Sequence, residues 1–136
     1  MNLVDQLLQA DAKKATERAT GTYESRKLAK VLGQDEPVTI ELREIDTRRL
    51  NDILAFQVDN KGNVDLKKSL DSKLLACVDG ISNPSMKDKN LQAHFGCATP
   101  KDLALTLFGF EVTAISDAIC ELSGMTDLET DEEIKN

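Results

Sequence analysis

Between Asn83 and Gly124 the chain reads NPSMKDKNLQAHFGCATPKDLALTLFGFEVTAISDAICELSG, and this stretch constrains the fold most because its helix boundaries are written in residue types. Ser85 with Asp88 three places on has the form of a capping box, which satisfies free amides of a first helical turn. Thr99-Pro100 opens a further helix: proline at the first position loses no needed hydrogen bond, and Asp102 in that turn is favoured by the helix dipole. Gly96, Gly109 and Gly124 supply stops, since glycine enters the left-handed conformation at little cost. Between these marks lie Leu91 and Phe95, then the stripe Leu103, Leu105 and Leu107. Last come Val112, Ile115, Ala118, Ile119 and Leu122, recurring at three and four. Helices this short are marginal alone, so the spacing predicts elements that pack on one another.

Upstream the pattern is more varied. Leu3, Val4, Leu7 and Leu8 give the first segment one narrow apolar edge before the polar run Asp11 to Arg18. From Thr22 to Ile45 the order is TYESRKLAKVL, GQDEP and VTIELREI. Val38, Ile40 and Leu42 alternate with polar residues as in a half-buried strand, and Gly33 to Pro37 has turn chemistry, which predicts a β-hairpin. This is the only strand signal, and a two-stranded ribbon needs helices to cover it. Asp46 is placed to cap a helix carrying Leu50, Ile53, Leu54 and Gln57 and ending near Val58. After the turn Asp59-Asn60-Lys61-Gly62, Asn63 is placed to cap a helix with the stripe Leu66, Leu70, Leu74, Leu75 and Val78, closed by Gly80. The expectation is an α+β fold, mostly α: a β-hairpin packed against a bundle of about four to five helices, with mobile termini. Residues 1–20 form an N-terminal helical or mobile segment, 21–124 a single domain, and 125–136 an acidic tail too charged to order itself.

At 136 residues one core suffices. Aromatic residues make up only 4% of the chain, so that core is aliphatic. A net charge of −7 opposes nucleic acid as a partner, because affinity for it comes mainly from Lys and Arg displacing phosphate counterions. Basic residues gather at Arg43, Arg48 and Arg49 and at Lys87 and Lys89, but acids interleave with them. The N-terminus carries Asp5 and has no long apolar run, so neither a signal peptide nor a membrane span is expected, and the chain reads as cytoplasmic. Cys77, Cys97 and Cys120 are odd in number and set among apolar residues, as free thiols in a reducing compartment are.

Catalytic equipment is scarce. His94 is the only histidine; with Cys97 it offers two ligands where zinc needs four, and no third group orients the pair for nucleophilic attack. Acid pairs such as Asp35-Glu36 sit in turns, where nothing desolvates them. No glycine-rich phosphate loop occurs. Glu111 stands among apolar residues in FGFEV, where an acid in the first turn of a helix complements its dipole. Phe108 and Phe110 bracket Gly109 and can either fill the core or form an exposed anchor. Neither an enzyme nor a cofactor is expected. The partner-binding candidates are Phe108, Phe110, Glu111, Val112 and Ile115 as one edge, with Leu3 and Leu7 as a second clamp. The residues alone support a small acidic protein-binding module, an adaptor or regulatory protein being one version.

From about Thr20 to Gly124 the chain resembles the XkdN-like group of phage tail assembly chaperones. The pieces that carry this are a basic strand ESRKLAKVLG, the strand VTIELREI, then DTRRLNDIL, KGNVD, LKKSLDSKLLACV, MKDKNLQAHFGCATPKDLALTLF and EVTAISDAICELSG. The junction FG-x-x-TP followed by LF and a Glu-led helix ending in SG is the most specific part. Phe110 departs from the pattern, which has glycine directly before the glutamate. The resemblance implies a non-enzymatic role in tail assembly: coating the tape measure protein and helping to recruit tail tube subunits, with self-association as a further candidate and neither nucleic acid nor membrane as partner.

Overall fold

The computed structural model describes residues 2–125; the expected acidic tail lies, from residue 126 onward, outside the described residues. Ten elements follow in order: α1 Leu3–Gln9, β1 Thr20–Ser25, α2 Arg26–Leu32, β2 Val38–Arg43, α3 Thr47–Ala55, α4 Leu66–Gly80, β3 Ile81–Asn83, α5 Lys89–His94, α6 Pro100–Phe108 and α7 Glu111–Leu122, with a 3₁₀ turn at Ala12–Ala15. The fold is α+β and mostly helical, as expected, with seven α-helices among the described residues and a third strand beyond the anticipated pair.

The sheet is antiparallel with strand order β1-β2-β3. Tyr23 pairs with Ile40, and Gly21 with Leu42. Ile40 and Leu42 point into the core, so the alternation read from VTIEL is the one the sheet uses. The first strand differs from the expectation. It ends at Ser25, and the basic segment RKLAKVL, which the resemblance places in that strand, is α2. Ser25 caps that helix by accepting from the Leu28 amide at 3.0 Å. Gly33, at φ +70°, is not a hairpin turn residue; it ends α2, with its own amide on the Lys30 carbonyl and that of Gln34 on the Ala29 carbonyl. The two strands are therefore antiparallel neighbours joined through a helix.

The helical boundaries come mostly from local caps. Asp46 accepts from the Arg49 amide, and Thr99 from the Asp102 amide with Pro100 at the first turn. Gly96 and Gly124 take positive φ. Helix α3 stops at Ala55 rather than near Val58, because Val58 bridges to Val64 across the Asp59–Gly62 turn. That turn also shifts the next cap. Asp65, not Asn63, accepts from the Lys67 amide, while the Asp65 amide is drawn to the Gln57 carbonyl. Asp88 rather than Ser85 caps α5.

The core lies between the sheet and helices α3, α4, α6 and α7. Fully buried side chains include Ile40, Leu42, Ile53, Met86, Leu103, Phe108, Ile115 and Ile119. Helix α4 is buried along Leu74, Ala76, Cys77, Val78 and Gly80, so the expected stripe holds only in its second half: Leu74 and Val78 are in the core, while Leu66 remains 85% exposed and Leu70 is also exposed. Gly80 permits the close approach of α4 to α7, since a Cβ there would lie 2.5 Å from Ile119 side-chain atoms. Helices α6 and α7 meet at 113°. Among the described residues no single helix is long and apolar enough to cross a membrane.

Candidate partner-binding surface

The residues expected to form one edge fall into three environments. Phe108, Val112 and Ile115 are core residues with essentially no exposed surface, which corrects the expectation that they line a partner-facing edge. They pack inward because α6 and α7 turn their apolar stripes toward α4 and the sheet. Phe110 is 99% exposed. Gly109 separates the two phenylalanines in a conformation (φ +55°, ψ −129°) that an L side chain rarely adopts, so the chain reverses direction between them and delivers one ring inward and the other into solvent.

Glu111 is committed within the fold. Its carboxylate accepts from the Ser25 hydroxyl at 2.6 Å, from the Arg26 amide at 3.0 Å and from the Lys27 amide at 3.4 Å. It therefore sits in the first turn of its own helix, as read from the sequence, and at the start of α2 as well, so one negative charge answers two helix dipoles. Ser25 is fully buried and uses its hydroxyl both to donate to Glu111 and to accept from Leu28. The Tyr23 phenol is held above its ordinary range, first by burial and then by the negative charge and hydrogen bond of Glu111.

Leu3 and Leu7 are exposed, together with Val4 and Leu8, at 63% to 80% of their surface. Helix α1 is capped by Asn2, which accepts from the Asp5 amide, yet it buries no residue. The apolar edge of this seven-residue helix therefore faces solvent among the described residues.

Two further surfaces were not foreseen. The basic residues that lie apart in sequence converge on the end of α4: Arg43 donates to the Asp79 carbonyl at 3.2 Å, Arg49 pairs with the Asp79 carboxylate, and Lys87 lies 3.9 Å from it. Cations at a helix C-terminus complement its dipole, which accounts for them structurally. An open groove of about 400 Å³ lies between α3, α4 and the second half of α7, with Ile53, Leu54, Ala76 and Cys120 among its lining. The signal for it was present in the sequence only as an unremarkable alternation of small and large residues on three separate helices.

Among the described residues no group of three or more His, Cys, Asp or Glu side chains could hold a metal ion. The His94 ring stands edge-on to Phe95 at 4.9 Å, while the Cys97 thiol lies 3.5 Å from the Thr106 hydroxyl. All three cysteines are free, and burial, with Cys120 nearby, pushes the Cys77 thiol up to about 12, which keeps it protonated and unreactive.

The family model described as "Phage XkdN-like tail assembly chaperone protein, TAC" matches residues 4–135. The crystal structure of the protein YqbN is similar in fold, with a TM-score of 0.53 and 17% identity over 79% of this chain and 88% of that one. At that identity the likeness is one of fold. No curated protein matches the chain.

Proposed function

Because this chain belongs to the family of phage XkdN-like tail assembly chaperone proteins, we propose that it binds the tape measure protein in the bacterial cytoplasm and assists assembly of the tail tube without chemistry of its own. The observation that carries this reading is the pair of exposed apolar elements at its surface, the α1 edge with Leu3 and Leu7 and the almost wholly exposed Phe110. A long apolar helical polypeptide needs such contacts to stay dispersed during assembly. Many weakly held copies with a net charge of −7 would keep it soluble through mutual repulsion, while avidity along the rod compensates for weak individual contacts. The division into an N-terminal arm through residue 20 and a folded unit from 21 to 124 belongs to the same proposal: the arm grips, and the folded unit presents Phe110.

Co-expression with the tape measure protein encoded alongside it tests this. The expected result is co-purification and a rise in the soluble fraction of the tape measure protein, both reduced by Phe110→Ser and by Leu3→Asp with Leu7→Asp. A tape measure protein that stays insoluble and does not co-purify overturns the proposal.

A further inference from the structure

We infer that Phe110 is one corner of a larger docking surface, shared with Leu66 and Leu70 of α4 and Leu105 of α6, and that its occupant is an amphipathic helix of another polypeptide whose apolar side is bordered by carboxylates. All four side chains are exposed. The packing of three helices brings them to one end of the fold. Leu66, Leu70 and Lys73 stand on the same side of α4 as Cys77, because a helix of about 3.6 residues per turn returns to nearly one direction at those spacings. That side meets the start of α7: the Cys77 thiol lies 3.6 Å from the Val112 carbonyl, and the Lys73 ammonium 3.4 Å from the Thr113 hydroxyl. Gly80, further along α4, faces Ile119, further along α7, so the two helices run in the same sense. Leu70 and Leu66, about 10.5 and 16.5 Å before Cys77 along the axis, therefore reach past the beginning of α7, on the side from which Phe110 enters it. Leu105 closes the set. It lies one turn on from Lys101, whose ammonium is 3.9 Å from the carboxylate of Asp71 beside Leu70, and one turn before Gly109, whose amide donates to the Leu105 carbonyl.

Charge says what kind of helix fits. The chain as a whole carries −7, yet the rim of this surface is basic. Lys67 and Lys73 each lie three residues from Leu70, one turn to either side of it on α4. Lys27 runs beside Gly109, its Cε 3.8 Å from the place a Cβ would occupy, and Lys101 neighbours Leu105 on α6. The carboxylates on these stretches are engaged: Asp71 pairs with Lys101, and Glu111 is held by the Ser25 hydroxyl and the Arg26 and Lys27 amides. Asp102 stands at the opposite end of α6 from Phe110. A helix that lays leucines on Phe110 and Leu70 thus meets ammonium groups along its borders, where Asp or Glu is attracted and Lys or Arg is repelled. The inference rests on the reading of Phe110 as a partner contact and deepens it by giving the partner's chemistry.

Two synthetic helical peptides test it, both with leucines at three- and four-residue spacing, bordered in one by glutamates and in the other by lysines. Binding of each, fluorescently labelled, to the full chain is read by anisotropy. The glutamate peptide is expected to bind tighter by about tenfold or more, with the difference shrinking as salt is added. Net charge alone directs the opposite order, so the unaltered protein decides between the two. Leu66→Ser with Leu70→Ser, and separately Phe110→Ser, should weaken the glutamate peptide at a near-parental thermal midpoint, and Lys67→Glu with Lys73→Glu should reverse the preference. Binding of neither peptide, equal or tighter binding of the lysine peptide, or a glutamate peptide indifferent to all these variants overturns the inference. A glutamate preference in a chain that fails to capture the tape measure protein upholds this surface and removes only the name of its partner.

Discussion

Replacing Glu111 with alanine should destabilise the fold far more than loss of a surface carboxylate would. The substitution removes the acceptor of the fully buried Ser25 hydroxyl. An orphaned buried donor costs about 1–3 kcal/mol. The Arg26 and Lys27 amides lose a negative partner as well, at 3.0 and 3.4 Å, but they start an exposed helix where solvent substitutes, so this adds only about 0.5–1 kcal/mol. The expected loss is thus about 1.5–4 kcal/mol, a substantial share of the roughly 5–15 kcal/mol typical of a domain. With a urea dependence of about 2 kcal/mol per molar, the midpoint moves down by about 1–2 M. A double-mutant cycle with Ser25→Ala separates the contact from incidental effects, and the coupling should be about 1.5–3 kcal/mol, as for a hydrogen bond to a charged group. Glu111→Gln keeps an acceptor and should recover part of the loss. Additivity of the two single variants within about 0.5 kcal/mol, or a midpoint that barely moves, would refute the claim that Glu111 joins α7 to α2.

Other outcomes follow from the same coordinates. In the Glu111→Gln protein the Tyr23 phenol should titrate closer to its ordinary value in an ultraviolet pH titration, burial alone remaining to raise it. Gly80→Ala sets a methyl group against Ile119 and should cost about 1–3 kcal/mol by calorimetry, a cost that disappears when the same change is made in an Ile119→Ala background, because alanine lacks the Cγ1, Cγ2 and Cδ1 atoms the methyl group would meet. Because the folded pKa of Cys77 is raised from 9.0 to about 12, its contribution is complete below pH 9 and is lost as pH rises toward 12, where the unfolded chain releases the proton first; denaturant midpoints should fall through that window, and fall less in Cys77→Ala relative to its own neutral-pH value. Phe110→Ala should leave the thermal midpoint within about 1 °C of the parent while weakening partner capture, because a ring 99% exposed contributes almost nothing to the core.

The sequence by itself determined the features that reach only a few residues along the chain. Asp46 and Thr99 with Pro100 start helices, and Gly96 and Gly124 stop them, where their residue types said they would, since an N-cap is a contact between a side chain and amides two or three positions away and a glycine stop needs only its own left-handed backbone. The inward set of β2 was legible for the same reason. Wherever a competing local signal was nearly as strong, the boundary moved: RKLAKVL became a helix because Ser25 caps it and a carboxylate 86 residues further on completes the first turn. Only the tertiary structure decided which side of α4 is buried, that Phe108 goes inward while Phe110 points out, and that three separate helices leave a groove between them. Periodicity specifies that a helix has an apolar side, but how far that side is covered depends on where neighbouring elements cross it. Leu66 and Leu70 extend an apolar stripe past the point where α6 and α7 stop covering α4, and exposure follows from that geometry rather than from the residues' own hydrophobicity.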